Sequence, residues 1–242
     1  MSLFNNFLFI GLPYAALVVF LIGTIYMYRS AKFKFSSLSS EFLEAKSLFW
    51  GSVPFHWGII FLFFGHLIGL LIPGAVLAWN SVPLRMVVIE VTAFAFGISA
   101  FIGLINLIIR RKTNRRIWTV TSKMDLLVEI LLLVEIFLGL WIAYEFRWGS
   151  SWFAAVLSPY IVSIFTLNPD ISAAANLHWV IQAHIALAFV ILLLIPFSRL
   201  VHLLVYPLHY LWRPYQRVIW YWGRKKVRDS NGTWSVSKAK NN

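Results

Sequence analysis

Six histidines occur in the 242-residue chain, and four of them, His56, His66, His184 and His202, fall within long apolar runs. An ionisable side chain is costly to bury unpaired in an apolar span, which makes each of the four a functional candidate. A neutral imidazole there either ligates a metal or relays a proton. His184 and His202 are 18 residues apart. On one continuous helix that is five full turns, so they share a face about 27 Å apart. His56 and His66 are ten residues apart, about 15 Å along the axis and roughly 80° apart in azimuth. Two antiparallel helices would bring His66 opposite His184 and His56 opposite His202, and each pair could supply both axial ligands of one haem. A haem with two imidazole ligands has no open iron position and suits electron transfer rather than oxygen activation. Hydrogen-bonded core histidines or a proton path are the other readings, and spacing alone does not separate them. The separations of about 15 and 27 Å do not match for straight parallel axes. Strong tilt, a kink at Pro196 or canted haem planes must absorb the difference.

Five apolar runs must position these side chains: about Phe7 to Tyr28, Trp50 to Ile72, Met86 to Ile109, Met124 to Tyr144 and Trp179 to Tyr206. Each has the roughly 20 residues a helix needs to cross a hydrocarbon core of about 30 Å. The chain is 60% hydrophobic and 12% charged, with a mean hydropathy of +0.77. The solvent for most of this surface is therefore lipid. The expected fold class is all-α, an integral membrane bundle of five transmembrane helices. A net charge of +12 does not mark a nucleic-acid binder here, because the charges sit in blocks between the apolar runs. Cysteine is absent, which excludes disulfides, thiolate metal sites and iron–sulfur clusters held by this chain. The first run lacks a basic leader and a small-residue cleavage site, so it reads as a retained helix.

Lys and Arg set the orientation. The first connection carries Arg29, Lys32, Lys34 and Lys46, the third carries six basic residues between Arg110 and Lys123, and the stretch from Arg199 onward carries nine. The second and fourth connections have only Arg85 and Arg147. The positive-inside rule places the N-terminus outside and the C-terminus in the cytoplasm. The expected organisation is a membrane domain over 1–222 and a basic cytoplasmic tail over 223–242.

The residues around the histidines resemble the gamma subunit of respiratory nitrate reductases, the dihaem cytochrome b that anchors the complex. They are Phe55-His56-Trp57-Gly58 and Gly65-His66-Leu67-Ile68-Gly69, then Pro196-Phe197-Ser198-Arg199-Leu200-Val201-His202 with Pro207 and Tyr210-Leu211 after it. Leu12-Pro13-Tyr14, Leu21-Ile22-Gly23, Ser39-Ser40-Glu41 and the Arg110-Arg111 stop extend the likeness over nearly the whole chain. The resemblance implies two b-type haems, a distal one on His66 and His184 near the outer face and a proximal one on His56 and His202 near the cytoplasm. It further implies oxidation of a quinol (menaquinol or ubiquinol) beside the distal haem, with protons released outside. Electrons would pass to an iron–sulfur beta subunit and a molybdenum-containing alpha subunit on the cytoplasmic face, where nitrate is reduced.

The chain departs from the family at the start of the third helix. There a Lys implicated in the quinol site is usual, and Arg85 is the cation present. Arg85 is either a donor to a quinone oxygen or an anchor for the helix end. Gly65 and Gly69 either let a ring approach the backbone or serve helix packing. Glu90, Glu129 and Glu135 lie in apolar runs and are assigned no role, while His178 and His209 are expected to be ordinary surface or interface residues. The same dihaem wire also suits a nitrite-oxidising, heterodisulfide-reductase-like or sulfite-reduction-associated complex. A haem-free anchor or a proton transporter is the reading from a different class.

Overall fold

A computed structural model describes residues 3–30 and 46–204. Lys32, Lys34, the Ser39–Glu41 match, Pro207, His209, Tyr210-Leu211 and the tail expected over 223–242 lie outside the described residues. Five helices are long and apolar enough to cross a membrane. They are α1 (Leu3–Ser30), α2 (Lys46–Leu71), α3 (Pro83–Thr113), α4 (Lys123–Glu145) and the span Trp179–Phe197, whose α-helical part is α5 (Trp179–Leu194). All the regular elements among the described residues are helical. Most of the surface of the five spans is unburied, and side chains such as Phe63, Phe64, Ile68 and Val91 stand more than a third exposed. That is the distribution required when lipid rather than water surrounds the helices.

Prolines shape two of these helices by removing an amide donor and crowding the carbonyl four residues back. In α1, Pro13 follows a π-turn at Phe7–Gly11. The Phe9 carbonyl that Pro13 leaves without an amide donor accepts a hydrogen bond from the Tyr160 hydroxyl at 2.9 Å. In α2, Pro54 likewise releases the Trp50 carbonyl, which receives Asn106 Nδ2 from α3 at 3.4 Å. The helix ends are built as their sequences suggest. Arg110, Arg111 and Lys112 occupy the last turn of α3, where cations favour the dipole. Ser122 and Asp125 close a capping box at the start of α4.

The helices neighbour one another in the order α2, α3, α4, α5, α1. The tightest seam joins α2 and α3. A Cβ added at Gly58 would lie 2.5 Å from the Phe96 carbonyl, and one at Gly103 would lie 2.5 Å from the Phe55 amide. Small residues here let two backbones approach more closely than any side chain permits. By contrast, the histidine-bearing helices α2 and α5 do not pack extensively on each other.

The connection between α4 and α5 is itself helical, with turns at Gly149–Trp152, Phe153–Leu157, Ser158–Phe165 and Ser172–Ala175. It supplies Leu157, Tyr160, Ile164, Ile171 and Ala174 to the main buried cluster, alongside Phe9, Leu138 and Ile181. Glu90 of α3 ties this connection down. Its Oε1 accepts the Ser150 amide at 2.8 Å and the Ser150 hydroxyl at 2.6 Å.

The fifth run is not one helix to Tyr206. The α-helix ends at Leu194, a 3-10 turn carries Pro196, and Ser198 is extended at φ −121° and ψ 175°. A second 3-10 turn over Arg199–Leu203 then carries His202. The 27 Å straight-axis separation therefore does not apply to His184 and His202, because the chain breaks between them. Pro196 forces the break by its missing amide and ring bulk. The Ser198 hydroxyl then accepts the Leu200 amide at 3.2 Å and restarts the turn.

Candidate haem-binding site

His56 and His202 face each other with ring centroids 6.0 Å apart and ring planes at 66°. Two imidazole nitrogens on opposite sides of one metal, each about 2 Å from it, stand about 4 Å apart. Adding roughly 1 Å from each nitrogen to its ring centre gives about 6 Å. The observed spacing would suit two imidazoles that hold a single iron between them.

The other ring nitrogens are already committed. His56 Nδ1 donates to the Ser52 carbonyl at 2.8 Å and also meets the Ser52 hydroxyl at 3.0 Å. His66 Nδ1 donates to the Leu62 carbonyl at 2.7 Å, and His202 Nδ1 to the Arg199 carbonyl at 2.7 Å. Each bond reaches one turn back and holds the tautomer with a proton on Nδ1, leaving Nε2 as the lone-pair nitrogen. That is the arrangement a metal-ligating histidine adopts.

His66 sits ten residues after His56, in the second half of α2. His66 itself is exposed among the described residues. Phe153, from the connection after α4, packs edge-on against the His66 ring at 5.2 Å. His184 on α5 lies against α4. A Cβ at Gly139 would come within 3.3 Å of its Cε1, and Glu135 Oε1 lies 3.1 Å from its Nδ1.

The structure also locates the other residues singled out above. A Cβ at Gly65 would meet nothing within 4 Å, whereas one at Gly69 would strike Phe153 at 2.9 Å. The Gly69 carbonyl accepts the buried Ser158 hydroxyl at 2.8 Å. Gly69 thus makes room for the α4–α5 connection, while Gly65 faces open space. The Arg85 guanidinium lies 5.1 Å from the centre of the Trp79 ring, a cation–π contact that suits an anchor at the start of α3. His178 caps α5, its ring accepting the Val180 amide at 3.4 Å.

An ionic network lies beside His202. Arg111 pairs with Glu129 at 2.8 Å and approaches Asp125 at 3.8 Å. Asp125, only 6% exposed, also receives Arg199 Nε at 2.9 Å. Arg199 Nη2 donates to the Val120 carbonyl at 2.9 Å, and the Arg199 carbonyl accepts the hydrogen bond from His202 Nδ1. The turn that presents His202 is therefore fastened to the start of α4.

Sequence reasoning missed Phe153, Gly139 and Glu135. Phe153 falls in a connection whose composition gave no help, yet Gly149–Phe165 is an apolar stretch and that was the available signal. Glu135 lies in an apolar run with no role assigned to it, because its place on α4 does not show which neighbouring helix its face meets.

Residues 5–221 match the protein family described as nitrate reductase gamma subunit. The chain is 35% identical over 208 residues to the nitrate reductase gamma chain of Bacillus subtilis, covering 84% of this chain and 93% of that protein. It is 31% identical over 217 residues to the respiratory nitrate reductase 2 gamma chain of Escherichia coli, covering 88% and 96%. With five apolar spans and such relatives, this is a multi-pass membrane protein.

Proposed function

The chain belongs to the nitrate reductase gamma subunit family, and from that premise we propose that it is the dihaem quinol-oxidising membrane subunit of a nitrate reductase. In this reading His56 and His202 hold the proximal b-type haem near the cytoplasm, and His66 with His184 hold the distal one near the outer face. The carrying observation is the 6.0 Å separation of the His56 and His202 rings with both Nδ1 atoms tied back. The blocks of Arg and Lys after α1, after α3 and from Arg199 onward support a cytoplasmic C-terminus.

Bound haem supplies one-electron transfer without an open iron position. The protein's own residues do the rest. Hydrogen bonds to Nδ1 hold each imidazole in the ligating tautomer and raise its basicity. Phe153 packs edge-on against the His66 ring and Ser158 bonds the Gly69 carbonyl, which fixes the α4–α5 connection beside this end of α2. Gly65, open on its Cα side, leaves a flat ring room to reach the backbone beside His66, which is where the quinol would sit. Arg85 at the start of α3 is the nearest counterpart of the family lysine, and its stacking on Trp79 fits an anchoring role better than a donor role. Electrons leave at the His202 end towards the iron–sulfur beta and molybdenum alpha subunits.

Haem quantification with a reduced-minus-oxidised spectrum of the purified complex tests the reading. Two non-covalent low-spin b-type haems per chain, reducible by a quinol, are expected. Replacing His66 or His184 by Ala should remove one haem, and replacing His56 or His202 the other. A chain carrying one haem or none, or loss that groups His56 with His184, contradicts the assignment.

A further inference from the structure

His184 differs from the other three histidines in how its Nδ1 is treated. Theirs are bound to carbonyls of their own turn. His184 Nδ1 is buried without a completed hydrogen bond, and so is Glu135 Oε2. The nearest charged group to this nitrogen is Glu135 Oε1 at 3.1 Å, a hydrogen-bonding distance that a small ring rotation would align. The carboxylate comes from α4, one turn before Gly139, so both residues present the same face to α5. Gly139 gives the imidazole its seat, with Cε1 at 3.3 Å from where a Cβ would stand. An acid in an apolar span is costly without a partner, and His184 is the one the fold provides.

We propose that Glu135 is a positioning residue for His184, its carboxylate accepting the Nδ1 proton so that Nε2 is held toward the iron as a strongly basic ligand. The proposal rests on the reading of His184 as a haem ligand. A carboxylate behind a ligating histidine increases electron donation to the metal more than a backbone carbonyl does. The haem on His66 and His184 is therefore held at a lower reduction potential than a neutral partner would allow. Its other ligand, His66, keeps the ordinary carbonyl partner, so the effect enters through His184 alone.

Redox titration of the haem absorbance in membranes carrying the assembled complex tests this with Glu135→Gln and Glu135→Asp. Glu135→Gln should keep both haems and raise the midpoint of the one that His184→Ala removes. The rise expected is about tenfold in its reduction equilibrium, or about 59 mV for a one-electron couple. The other haem should not move. Glu135→Asp, which keeps the charge, should recover most of the native value, or recover the haem if Glu135→Gln loses it. Unmoved midpoints in Glu135→Gln, or loss of that haem in both variants, overturn the proposal while leaving His184 as a ligand. If His184→Ala instead holds two haems, the ligand assignment fails and the proposal with it.

Discussion

A metal-ligating imidazole almost always donates its other ring N–H to a partner, and for three of the four histidines that partner is local. Ser52, Leu62 and Arg199 each offer a carbonyl one turn before a histidine. At Gly139 the constraint is steric. Gly139→Val places atoms where the His184 ring lies, so the haem proposed for His66 and His184 should be lost while the other stays. Haem content per chain should fall from two towards one, with the remaining band unshifted. Tyr160 offers a second test at this scale. Its burial pushes the phenol up beyond its ordinary range, so it remains a donor to the Phe9 carbonyl at all working pH values. Tyr160→Phe leaves that carbonyl unpaired and should cost about 1–3 kcal/mol, seen as a lower unfolding midpoint in detergent.

Among the elements, close seams and breaks share the work of setting the histidines' height. Gly58 and Gly103 bring α2 and α3 into backbone contact. Gly103→Ala puts a methyl against the Phe55 amide and Gly51 carbonyl, where no flexible side chain can yield. The helices must separate at a cost of about 1–3 kcal/mol, with displacement of His56, whose neighbour Phe55 is struck. Spectral change confined to the haem that His56→Ala removes is the expected readout. At the other partner, the Pro196–Ser198 break lets His202 reach His56 without a full helical rise. Asp125 secures that break through Arg199. Asp125→Asn removes the carboxylate charge that faces Arg199 Nε and should destabilise by about 1.5–3 kcal/mol, hydrogen bonds to charged groups being worth that much. Thermal unfolding checks the size, and selective loss of the His202-side haem checks the location.

Across the whole molecule, α2 and α5 are held at a distance by neighbours rather than by each other. On the proposed reading, haem ligated by histidines of both helices links them. A ligand that binds only the folded state adds stability by mass action. Protein made under haem limitation should therefore unfold at lower temperature and be cut faster by protease, and adding haem back should reverse both. Equal stability with and without haem would mean that the bundle closes by itself.

Much of this molecule was legible in the chain. Lipid thickness sets how long an apolar run must be, so the number of spans and the membrane location follow from composition. The start of α4 at Lys123 and the end of α3 among its arginines follow from local capping chemistry. The histidines stood out because ionisable groups are rare in apolar spans, and the residues around them carried the family. Tertiary structure alone decided the rest. The fifth run breaks at Ser198, whereas hydropathy continues across it because hydrophobicity does not report backbone angles. Phe153 packs against His66, and Glu135 approaches His184, through contacts between residues 87 and 49 positions apart in the chain. Such meetings depend on which faces of separate helices are turned together, and a period of 3.6 within one helix contains no information about its neighbour.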